Sequence, residues 1–168
     1  VWTKPNAAGV YNYQVTVQSL PTPPATVATP MAGGNGNFLV AFNVRNNNGY
    51  PVTLANIASN TFGSGAVVSR VFSKPSAIAG NPGPISAANG WIQFGTANNT
   101  VVANTLNQLM SGLTLVIPPG ATYGIALDMT GATFPAYTNG TTLVTYTSGG
   151  CDIITGGNVG WGGPASPG

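Results

Sequence analysis

The chain has 168 residues, enough for one domain with a sizeable core, and 43% of them are hydrophobic while only 4% are charged. Ordinary globular proteins carry roughly 25% charged residues, so this surface has to be wetted by Asn, Thr, Ser, Gln and Gly. Lys4, Arg45, Arg70 and Lys74 against Asp128 and Asp152 form no basic stripe for a nucleic acid backbone. No run approaches the roughly 18 apolar residues that a membrane-crossing helix needs.

The first element is "GVYNYQVTVQ". Tyr11, Tyr13, Val15 and Val17 alternate with Asn12, Gln14, Thr16 and Gln18, the period-two pattern of a half-buried strand. Pro21, Pro23, Pro24 and Pro30 follow, so residues 21–36 read as a polyproline II spacer rather than the turn of a hairpin. "NFLVAFNV" (37–44) sets Phe38, Val40, Phe42 and Val44 on one face and turns at "NNNG". "YPVTLANI" (50–57) and "AVVSRVF" (66–72) come next, and the second runs into the turn-like "SKPSAIAGNPGP". "WIQF" (91–94) is short and aromatic, with Trp91 suited to a core. Val102–Ser111 is the only stretch with helical spacing, too short and too poorly capped to rely on. "LTLVI" (113–117) stops at Pro118-Pro119-Gly120. "TYGIALDM" (122–129) points Tyr123, Ile125, Leu127 and Met129 inward and Asp128 toward water. "TTLVTYT" (141–147) and "CDII" (151–154) complete a set of about eight strands, and residues 156–168 read as loop. Such a series with regular turn spacing predicts an all-β fold, an antiparallel β-sandwich preceded by a detached strand on a tether. The expected organisation is a donor-type strand over 1–20, the tether over 21–36 and the sandwich over 37–168.

From about Asn35 onward the sequence resembles a β-sandwich domain of secreted surface proteins of Bacteroidota, including adhesins exported by the type IX route. The resemblance is carried by "NGNFLVAFNVRNNNGYPVTLANI", "RVFSKPSA", Trp91, "LVIPPGATYGIALDMTGATFPAYTNGT" and "GGPASPG". It implies a sandwich with an extracellular, adhesive or structural role and no active site to carry over. In that family the glycine-rich loop leads into one more strand. Here the chain stops at Gly168 and has an extra strand in front, which suggests an unfilled sheet position and a filler for it.

Inserted into a neighbouring subunit, that filler produces a head-to-tail homopolymer; folded back, a monomer. The stiff spacer suits bridging better than reversal. Burial of Tyr11, Tyr13, Val15 and Val17 at about 1.5–3 kcal/mol each amounts to roughly 6–12 kcal/mol gross, enough for a lasting joint. The expected function is therefore a non-enzymatic subunit of an extracellular filament or surface fibre whose partners are copies of itself. The alternative is a carbohydrate-binding or adhesive domain of a larger surface protein, with surface glycans as partners.

Chemistry finds little purchase. Zero histidines remove the usual general base and the commonest metal ligand. Asp128 and Asp152 are the only carboxylates, so a glycosidase must use both, and a weak calcium site would need them plus amide oxygens. Surface solubilisation is the simpler reading, since no Arg or Lys lies near either in sequence. Arg70, among apolar neighbours, reads as an edge charge or as a partner to one of them. Cys151 has no histidine partner and reads as a packed thiol, with an intersubunit disulfide as the other option. "GNVGWGG" (157–163) is not placed between a strand and a helix, so the dinucleotide-loop reading fails. No cofactor or metal is expected. Trp161, in that loop, is the candidate for surface contact with sugar or subunit.

Overall fold

The computed structural model describes residues 24–31, 34–138, 140, 142–156 and 161–162, the last two for their backbone alone. The expected joining strand with Tyr11, Tyr13, Val15 and Val17 lies outside the described residues. Among them the fold is all-β, a multi-stranded antiparallel sheet packed against smaller ladders. The strands are β1 (Asn35–Gly36), β2 (Leu39–Asn46), β3 (Val52–Leu54), β4 (Ile57–Asn60), β5 (Gly65–Lys74), β6 (Ile92–Val101), β7 (Leu106–Met110), β8 (Leu115–Ile117), β9 (Thr122–Gly131), β10 (Ala136–Tyr137), β11 (Val144–Ser148), β12 (Cys151–Thr155) and β13 (Trp161–Gly162).

The large sheet runs β11-β12-β2-β9-β5-β6, and β13 continues the β12 side of β2. One face carries Val44, Val67, Val71, Val101, Ile125, Leu127 and Met129 against the β3–β8 and β4–β7 ladders, which supply Ile57, Leu109, Met110 and Ile117. Alternation then turns Leu39, Ala41, Phe72 and Ala126 to the opposite face, where Ile78, Ile85 and Trp91 cover them. Those three belong to residues 75–91, a loop between β5 and β6 that acts as a lid. Asn43, buried in β2, pins it: Nδ2 donates to the Ile78 carbonyl at 3.1 Å and Oδ1 accepts from the Ile78 N–H at 2.8 Å. Gly124 in β9 has no side chain because Ile78 occupies the space; a Cβ there would come within 2.7 Å of its Cγ1.

Several expectations change. Val102–Ser111 forms no helix: Leu106–Met110 is β7, paired with β4, and the register shift at Ile57/Ala58 leaves Leu109 as a bulge. The bulge lets consecutive Leu109 and Met110 both face the core, which mimics helical spacing in the sequence. The strand at "WIQF" runs on through Thr96, Asn98 and Thr100 to Val101; small and polar residues hid it. Asp128 does not face water but is 3% exposed, because both faces of the sheet are covered at β9. Residues 156–168 are not all loop, since Trp161 and Gly162 pair with Ala41 and Val40. Trp91 sits in the core, 2% exposed, as its sequence context suggests.

Candidate assembly edge

β11 and β12 form a tight hairpin, Val144↔Thr155 through Ser148↔Cys151. Its two turn residues, Gly149 and Gly150, both have positive φ (55° and 71°), the geometry of a two-residue turn that matches strand twist. The "NNNG" turn after β2 clasps this hairpin. Asn47 donates its N–H to the Gly150 carbonyl at 2.8 Å, and Asn48 Nδ2 reaches the Gly149 and Gly150 carbonyls. Asn46, fully buried, holds the clasp together: Nδ2 donates to the Tyr50 and Ile117 carbonyls while Oδ1 accepts from the Asn48 N–H.

The β12–β2 pairing is locked from one face by charge. Arg45 Nε donates to Asp152 Oδ2 at 2.8 Å, Asn47 Nδ2 to the same oxygen at 2.8 Å, and the Thr147 hydroxyl to Oδ1 at 2.6 Å. Thr147 lies on β11, Asp152 on β12 and Arg45 on β2, so one carboxylate ties three strands. Burial pushes the Asp152 carboxyl up, but these hydrogen bonds and the Arg45 charge outweigh it and hold the group below its ordinary value. On the same face of the sheet Arg70 Nε donates to Asp128 Oδ2 at 2.7 Å. There burial wins and the Asp128 carboxyl is lifted, with the Arg70 hydrogen bond and charge opposing. Arg70 is thus a carboxylate partner, the second of the two readings its sequence allows. Both carboxylates are buried rather than solubilising, and their arginines lie 58 and 107 residues away in sequence, out of sight of any local reading. Each is neutralised by its own arginine, which leaves no excess negative charge for a cation.

Cys151 is a half-buried free thiol whose Sγ accepts from Asn48 Nδ2 at 3.7 Å. Burial and the neighbouring Asp152 charge push it up, away from the reactive thiolate. Trp161 is placed by its backbone beside Ala41 of β2. The other described aromatic side chains are spread over the fold: Trp91 lies in the lid, Tyr123 on the opposite face, Tyr50 beyond the end of β2, and Tyr137 beside Asn35 before its start. A cluster that sequence reading missed sits at that last end. Phe134 stacks on Phe62 (centroids 5.5 Å) and meets Phe38 edge-on (5.3 Å), and both partners are about half exposed. Gly36 makes room for the Phe134 ring.

The two edges of the large sheet differ. β6 is bulged opposite Val71/Phe72 and is tied to the second layer, Asn99 Nδ2 donating to the Leu109 carbonyl at 3.1 Å. β11 pairs with β12 alone among the described strands and has no charge, proline or bulge. Natural sheets ordinarily guard an edge with one of these devices, because bare N–H and C=O groups recruit another strand. No family model, curated protein or solved structure matches this chain.

Proposed function

We propose that the chain is a structural, non-enzymatic subunit of an extracellular filament or surface fibre, joined by insertion of its residues 10–19 into a neighbouring copy. The observation that carries this reading is the near-neutral outside of the sandwich. Asp128 and Asp152 are both consumed in ion pairs, and Lys74 is the one described cation outside an ion pair. Copies that do not repel one another associate readily, and Ile92, Leu106, Val116 and Leu143 add exposed apolar area. No described helix is long and apolar enough to cross a membrane. The resemblance to surface adhesin domains supports the extracellular setting. Sedimentation and electron microscopy of the full chain test the proposal: polymers should form, changing by less than about twofold between low and molar salt because so few charges are there to be screened. A monodisperse monomer at high concentration would refute it.

A second reading, an adhesive or carbohydrate-binding domain, draws on the exposed Phe38 and Phe62 rings flanking Phe134. Glycan binding lost in Phe62→Ala or Trp161→Ala would favour it.

A further inference from the structure

We infer that the acceptor for the Tyr11–Val17 strand is the outer side of β11 in a second copy. The strand's Tyr/Val side extends the Val144–Tyr146 face, and its Asn/Gln/Thr side extends the Thr145–Thr147 face. This rests on the assembly reading above and names its seam.

The sheet presents matching faces there. Tyr146, Ile153, Val44 and Tyr123 form one row across β11, β12, β2 and β9. Val44 is buried in the core, but no side chain of β11 or β12 belongs to that cluster. Val144, Tyr146 and Ile153 are consequently half covered, while Thr145 and Thr147 on the opposite face are exposed. A strand that alternates Tyr, Tyr, Val, Val with Asn, Gln, Thr, Gln continues both surfaces and satisfies the free edge. A register slip of one residue would put the tyrosines among the threonines, so the pattern also selects its pairing.

Where the chain enters supports a donor from another copy. Ala25 lies against the β11–β12 turn, close enough that a Cβ at Gly149 would collide with it. The preceding Leu20-Pro21-Thr22-Pro23-Pro24 favours extended backbone at nearly every position. Extended backbone of that length reaches about 15 Å, so the strand could lie on its own β11 only if this stiff stretch doubled back. Each copy then offers an edge and a strand at different places, the head-to-tail arrangement that grows without closing.

Three full-length forms test the seam by sedimentation: wild type, a donor variant (Tyr13→Lys with Val15→Lys) and an acceptor variant (Tyr146→Lys). Wild type should polymerise, each variant alone should be monomeric, and an equal mixture should stop at dimers, since only one intact strand and one intact edge can meet. An acceptor variant that still polymerises while the donor variant does not would overturn the seam and leave the filament reading standing. Polymers from both would overturn strand insertion as the joint, and a monomeric wild type would overturn the filament reading itself. Because Tyr146→Lys can disturb the hairpin, amide exchange provides the second measure. Val144–Ser148 should exchange about tenfold or more slowly in wild-type polymer than in the donor-variant monomer, and equal rates there would sink the proposal.

Discussion

Replacing Asn43 by Ala tests how the lid is held. The buried amide makes two hydrogen bonds to Ile78, 3.1 Å to its carbonyl and 2.8 Å from its N–H, and Ile78 is itself 6% exposed. Truncation leaves both backbone groups without a partner in a place water reaches poorly. Each orphaned group costs about 1–3 kcal/mol, so about 2–6 kcal/mol should go, the low end applying if water fills the space of the lost amide. The loss should be regional. Leu39, Phe72 and Ala126 lie under the lid, whereas the core shared with the β3–β8 and β4–β7 ladders does not depend on it. Urea unfolding should show the reduced stability, and amide exchange should quicken through residues 76–91 while β12 is unchanged. A loss below about 0.5 kcal/mol, a typical surface-substitution value, with unaltered exchange in the lid, would show that Ile78 and Trp91 hold the loop by packing alone.

Other outcomes follow from the same contacts. Arg70→Ala strands the Asp128 carboxylate, and because Arg70 is 34% exposed the cost in chemical denaturation should be about 2–3 kcal/mol, short of a fully buried pair. The two carboxylates give opposite pH dependences. The lowered Asp152 stabilises above its ordinary value of 3.8 and loses that contribution as pH falls through its folded value. The raised Asp128 has its stabilising effect at low pH and loses it as pH rises from 3.8 through its folded value. Asp152→Asn should therefore be more stable near pH 4 than at neutrality, and its deficit against wild type should shrink in acid; a pH-independent deficit would contradict the assignment. Phe134→Ala removes the ring that joins Phe38 and Phe62; its half-buried position sets the cost at about 1.5–3 kcal/mol, read as a lowered melting temperature. Cys151 should react slowly with a thiol reagent at neutral pH, and rapid labelling in the folded state would contradict its raised pKa.

Particular residues show what local pattern can and cannot reveal. Alternation in "NFLVAFNV" and "TYGIALDM" is legible because large apolar residues recur every second position, and β2 and β9 are found there. The same alternation assigns Asp128 to the face opposite Leu127 but cannot say what lies above that face. Only the return of Ile78, Ile85 and Trp91 across the sheet, and of Arg70 beside Asp128, decides it. The Leu109 bulge defeats periodicity because one extra residue shifts the count against its partner strand.

The β class, the sparse charge and the chain positions of most strands are legible from the residues alone, since these depend on residue type and nearest-neighbour spacing. Tertiary structure settled strand order, the burial of both aspartates, the clasp of Asn46–Asn48 on Gly149–Gly150, and the place of β11 at the end of the sheet among the described strands. Each of those depends on segments many tens of residues apart meeting in space, and no local pattern of side chains encodes where such partners arrive.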